Sequence, residues 1–133
     1  MVKRIIRPAG LHDTSSRAYS QAVKVGNTVY IAGQLATDEG GPNQSVAGKR
    51  DVAAQARQVF ANIEKVVKAA GGGLDDVVNM TVFLKDMRDL PLFLGVRREV
   101  FKRDFPASTA VQVQNLADKD GLLEVNAIAV IDR

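Results

Sequence analysis

The chain has no cysteine and no tryptophan. Without cysteine there is no disulfide framework, no thiolate nucleophile and no thiolate-ligated metal. Histidine occurs once, as His12. One imidazole cannot build a multi-histidine metal centre, and Asp75 and Asp76 are adjacent rather than facing, so neither metal nor cofactor is expected. A Ser–His–Asp triad would also have to pass through His12, and nothing near it resembles a nucleophile elbow. Aromatic residues make up 5% of the chain, with five Phe and two Tyr available for stacking on bases. No apolar run is long enough to span a bilayer. The opening residues 1–8 lack the long apolar stretch of a signal peptide. These absences predict a cytoplasmic protein with no membrane partner.

What is present suits one domain over residues 1–133, with 46% hydrophobic residues to fill a core. The formal net charge is +3 and the isoelectric point about 9.4. The basic pairs Lys49-Arg50 and Arg97-Arg98 are soon met by Asp51 and Glu99. Such mixed charge reads as a solvated surface, and nucleic acid is not an expected partner.

Periodicity orders the elements. Residues 3–7 alternate weakly as a first short strand, and residues 12–16 read as loop. Ala22–Val25 and Thr28–Ala32 are β-rich runs split by Gly26-Asn27, a tight hairpin signal. Residues 38–43 are a loop by composition. Val52, Ala56, Val59, Ile63, Val66 and Ala70 recur at helical spacing after the capping residue Asp51. Gly71-Gly72-Gly73 then stops the helix. A phosphate cradle is excluded there, because Leu74-Asp75-Asp76 follows in place of Lys and Ser or Thr. Val77–Leu84 is a nearly continuous apolar strand, which suggests burial on both faces. Asp89-Leu90-Pro91 opens a second helix with Asp89 as cap and Phe93, Val96, Val100 and Phe101 inward. Thr109–Leu116 and Leu122–Ile131 are the last strands. This order predicts an α+β fold, one sheet with two helices on one face. The other sheet face needs cover, and self-association supplies it.

Glu124 stands inside an otherwise apolar strand. It either points outward on an alternating strand or is a buried carboxylate with a task.

Several motifs then fall in a recognisable order. Tyr19-Ser20-Gln21-Ala22-Val23, Ile31-Ala32-Gly33-Gln34, residues 51–58, Thr81-Val82-Phe83-Leu84-Lys85-Asp86, residues 105–113 and residues 122–130 together resemble the Rid family, also called YjgF, whose reactive-intermediate deaminases are RidA-like. The resemblance implies a chorismate-mutase-like (YjgF-type) fold with one mixed sheet, a homotrimer with a central barrel, and a small-molecule ligand between subunits. It implies hydrolytic deamination of a small imine or enamine. Glu124 would position water or relay a proton, Tyr19 would hydrogen-bond ligand or water, and the Gly33 backbone N–H would face the ligand. In each case a plain role stands beside this one: core packing for Tyr19, a packing-relief strand glycine for Gly33.

Three positions depart from the family pattern. Ser108 replaces the arginine that grips a substrate carboxylate, Ala32 replaces a serine, and Leu94 aligns with an asparagine. Ala110 shares the Ser108 strand and completes the expected ligand set. A guanidinium grips carboxylate through two charge-assisted bonds, whereas a serine offers one neutral bond. The substitutions imply a less polar pocket, poor for 2-imino acids. Arg17 stands where the family has glycine, and could restore a cation or lie in solvent. The alternatives are a non-enzymatic small-ligand-binding trimer and, beyond it, an endoribonuclease or translation inhibitor.

Overall fold

The alternating runs assemble into a single mixed sheet. A computed structural model describes residues 2–37 and 48–132. The predicted loop at 38–43 lies outside the described residues. The elements are β1 (Lys3–Ile6), β2 (Ala22–Val25), β3 (Thr28–Gln34), α1 (Val52–Ala69), β4 (Val77–Leu84), α2 (Leu90–Phe101), β5 (Ala107–Gln112) and β6 (Leu123–Val130). Spatial order is β1-β2-β3-β6-β4-β5. All pairings are antiparallel except β4–β5, which α2 connects as a crossover. Gly26 takes the β2–β3 turn at φ 57°, as the hairpin signal requires.

Asp51 caps α1, accepting from the Ala54 N–H, and the helix ends before Gly71 at φ 97°. Its buried stripe includes Ala56, Val59, Ile63 and Val66. Two polar residues join that stripe. Gln55 donates to the Asp120 carbonyl and accepts from the Leu122 N–H, which fixes the entry of β6. Asn62 donates to the carbonyls of Leu35 and Thr37. Phe60, Phe93 and Phe101 form a ring cluster between the helices, with Phe60 centroids 5.6 Å from Phe93 and 5.4 Å from Phe101.

Three expectations need correction. Asp89 does not cap α2 through its side chain. A 3-10 turn over Met87–Asp89 precedes the helix, and Asp86 caps that turn instead. β5 spans Ala107–Gln112 rather than 109–116, because its partner β4 ends at Leu84, opposite Gln112. β4 is not buried on both faces within the chain: Val77, Met80, Val82 and Leu84 are buried while Val78 is 46% exposed.

Register assigns every strand residue to a face. Met80 pairs with Ser108 and Val82 with Ala110, so these four face the helices. Phe83 pairs with Val111 on one side and Glu124 on the other, on the opposite face. That second face has no helical cover among the described residues and leaves Tyr30, Val111 and Val130 exposed.

Candidate functional site

The segment before β2 is shaped by local hydrogen bonds. Ser15–Arg17 forms a 3-10 turn, and Ala18 closes it in the left-handed region at φ 61°. The Thr14 hydroxyl donates to the Tyr19 carbonyl at 2.6 Å. Below it runs a line of amides: Gln34 donates to the Gln21 side-chain oxygen, and Gln21 donates to the His12 carbonyl. The line ties the turn to β3 and holds Arg17 and Tyr19 beside the sheet.

On β3 the register shifts between Ile31 and Gln34, a bulge at Ala32 and Gly33. Gly33 lies against Glu124. A Cβ built on it would sit 2.8 Å from the Glu124 carboxyl carbon, so the carboxylate occupies the space a side chain would take. Arg17, Tyr19, Ala32, Gly33, Glu124 and His12 border one cleft of about 220 Å³. That is below the roughly 300–1,000 Å³ of drug-sized sites and suits a ligand of few heavy atoms.

Burial pushes the Glu124 carboxyl above its ordinary value. It makes no hydrogen bond or ion pair among the described residues. Burial likewise raises Tyr19, against a lowering influence from Arg17 and with a further push from Glu124, so the phenol stays a donor. Nothing in the pattern of residues around His12 foretold its place beside this cleft. Both its ring nitrogens are shielded from solvent without partners among the described residues. Burial and then Arg17 lower its pKa, with Asp13 opposing, so the ring is neutral at pH 7.

Ser108, Ala110 and Leu94 are not in this cleft. Ser108 and Ala110 lie on the helix-facing side of β5, at the edge of the sheet, and Leu94 is exposed on α2. Within one chain, Ser108 and Glu124 therefore stand on opposite faces. The Ser108 side has a resident that the solvated-surface reading of Arg97-Arg98 overlooked. Arg97 is half-buried, its guanidinium carbon 5.2 Å from the Phe93 ring centre. Its Nη1 donates to the Ser108 hydroxyl at 2.5 Å and to the Met80 sulfur at 3.6 Å. One sequence signal existed: Arg97 follows Phe93 by one helical turn, which places it at the edge of the buried stripe.

The profile of a family described as Endoribonuclease L-PSP matches residues 12–131. The chain belongs to this family, also known as YjgF or Rid. A RutC family protein of Sulfurisphaera tokodaii is 46% identical over 110 residues, 83% of this chain and 85% of that one. A 2-iminobutanoate/2-iminopropanoate deaminase of Bos taurus is 44% identical over 112 residues, 84% of this chain and 79% of that one. Among solved structures, RidA from the Antarctic bacterium Psychrobacter sp. PAMC 21119 superposes with a TM-score of 0.86 at 40% identity, covering 96% of this chain and 99% of that one. The expected fold, one mixed sheet with two helices on one face, is that of the family. No helix among the described residues is long and apolar enough to cross a membrane.

Proposed function

We propose that this Rid-family chain hydrolyses a small imine or enamine in the cytoplasm, working as a homotrimer with its pocket between subunits. The observation that carries the reading is Glu124: a half-buried carboxylate with a raised pKa and no hydrogen-bond partner among the described residues, opposite a glycine and beside a phenol. A carboxylate kept in that condition costs stability and is suited to proton transfer.

The reaction adds water to the C=N carbon. Glu124 accepts a proton from the attacking water as its oxygen bonds to that carbon. The same carboxyl returns that proton to the nitrogen, giving the carbinolamine; it then accepts the hydroxyl proton and delivers it to the nitrogen as well, so the C–N bond breaks, ammonia leaves and the oxygen becomes the carbonyl. An enamine enters the same sequence after protonation at carbon to the imine. Tyr19 donates a hydrogen bond to ligand or water, and the Gly33 N–H and Ser108 hydroxyl orient the substrate. Arg17 sets the field at the cleft mouth and favours the developing negative charge.

Opposite-face placement of Glu124 and Ser108 supports an inter-subunit pocket, since one small ligand can meet both when two chains contribute. The uncovered apolar sheet face supports self-association. The names of relatives as 2-iminobutanoate/2-iminopropanoate deaminases support the reaction class.

The test is ammonia release from freshly generated imines by the native protein and by Glu124→Gln. Turnover that falls at least about a hundredfold in the variant is expected. Saturable binding of the carbonyl products with no turnover in the native protein would replace the hydrolase with a ligand-binding trimer.

A further inference from the structure

A second cavity borders His12. It holds about 230 Å³ and is bounded by the end of β1, the loop that follows and the residues just before β2. Ile5, Ile6, Pro8 and Leu11 supply its apolar wall. Polar residues that border it are engaged locally: the Thr14 hydroxyl donates to the Tyr19 carbonyl, and the Asp13 carboxylate accepts the Ser15 N–H. The space therefore fits an aliphatic chain.

Three residues border both this cavity and the Glu124 cleft: His12, Tyr19 and Gln21. Gln21 is fixed, donating to the His12 carbonyl and accepting from Gln34. Tyr19 is 40% exposed and its phenol feels the Glu124 charge, which places that ring on the cleft side. The His12 ring is left as the partition. Its two nitrogens are shielded and make no hydrogen bond among the described residues. The backbone around it is pinned, with Lys65 donating to the Gly10 carbonyl and Gln21 to the His12 carbonyl itself. Because the bonds hold the backbone and not the ring, the side chain can be shortened without loosening the loop. An imidazole with both nitrogens unpaired also lowers stability, so packing alone gives no reason for histidine over leucine here.

We propose that the His12 ring sets the length of ligand this chain accepts, by closing the Glu124 cleft against the apolar cavity. Each space alone takes few heavy atoms. Joined, the two fall within the roughly 300–1,000 Å³ of a drug-sized site. With the ring in place the ligand is a short imine, enamine or carbonyl compound. With the ring shortened, an aliphatic chain of several carbons continues past position 12 toward Ile5 and Ile6. This deepens the hydrolytic reading by naming what limits its substrate, and rests on it only for the cleft being where the ligand binds.

The experiment is calorimetric titration with butanone and with 2-heptanone, a ketone longer by three methylenes, in the native protein, His12→Ala and His12→Leu. Native protein should bind 2-heptanone no more tightly than butanone. His12→Ala should favour 2-heptanone by about fourfold for each methylene that enters the cavity. His12→Val, a milder shortening, should lie between, and serves where His12→Ala does not fold. His12→Leu keeps the partition filled, and should keep the native preference while raising the urea midpoint, because no unpaired nitrogen remains. Ile5→Phe added to His12→Ala fills the cavity and should cancel the gain. A native protein that already favours 2-heptanone as strongly as His12→Ala, shortened variants with no gain, or a gain that survives Ile5→Phe overturns the partition. Binding of neither ketone by any of these proteins overturns both the partition and the ligand cleft. Ammonia release is read separately on the same proteins. The expected length preference without any turnover removes the hydrolytic reading and leaves the partition. Turnover indifferent to chain length in native protein and His12→Ala alike removes the partition and leaves the hydrolysis.

Discussion

Gly33→Ala separates activity from stability in this fold. The added Cβ would lie 2.8 Å from both the Glu124 carboxyl carbon and Oε1, and 3.0 Å from Cγ. Carbon pairs rest at about 3.5–4.0 Å, so the carboxyl must retreat by at least about 0.7 Å. The atoms in the way are the far end of a side chain that faces the cleft, and they can move. Gly33 has no positive φ, so alanine adds no backbone strain and reduces the freedom of the unfolded chain by about 0.4–1 kcal/mol. The two terms are comparable, and stability should stay within roughly 1 kcal/mol of native. Catalysis does not enjoy that latitude. Misplacing a proton-transfer group by about 1 Å can cost on the order of a hundredfold. The expected result is kcat for imine hydrolysis lowered about 10- to 100-fold at nearly unchanged denaturation midpoint. The assay is steady-state ammonia release alongside urea unfolding. An unaltered kcat would refute the role given to the Glu124 position. A drop in kcat accompanied by a stability loss of several kcal/mol would refute the reasoning that the side chain absorbs the clash.

The raised pKa of Glu124 also has a pH signature. Above the ordinary glutamate value the native state holds more protons than the unfolded chain, so this residue's contribution to stability is present at low pH and declines as pH rises through the raised value. Glu124→Gln should remove that decline, seen as a melting-temperature gain over native that grows as pH rises above the ordinary glutamate value. Tyr30→Lys places a charge on the uncovered sheet face and should shift sedimentation toward monomer; an unchanged oligomer would mean that this face is not the interface. Ser108→Arg sets a second guanidinium where Arg97 Nη1 now lies, and should lower the melting temperature without improving 2-imino acid turnover.

The elements were readable because each rested on a local signal. The α1 stripe from Val52 to Val66, its Asp51 cap and the Gly26 turn depend on neighbours within one helical or hairpin turn. Asp89 misled because a capping side chain works only if its own backbone is extended, and here a 3-10 turn had already begun at Met87. The continuous apolar run of β4 misled for a different reason. Sequence reports what a strand must bury in its final assembly, whereas one chain covers one face. Val78, Tyr30 and Val130 are accordingly left exposed within one chain.

The site divides along the same line. Glu124 stood out as a carboxylate in an apolar strand, Tyr19, Gly33 and Arg17 stood out through the resemblance to the Rid family, and the cleft brings them together. What sequence could not supply was register. A slip of one residue in the β4–β5 ladder would turn Ser108 to the Glu124 face and Val111 to the helices. With the observed pairing of Met80 to Ser108 and Phe83 to Glu124, the two groups are separated by the sheet itself. It follows that the chemistry of position 108 is decided less by its strand neighbours than by what α2 lays across it. Arg97 was legible as a charge and as one turn past Phe93, but whether it faced water or Ser108 depended on how the crossover returned to the sheet edge.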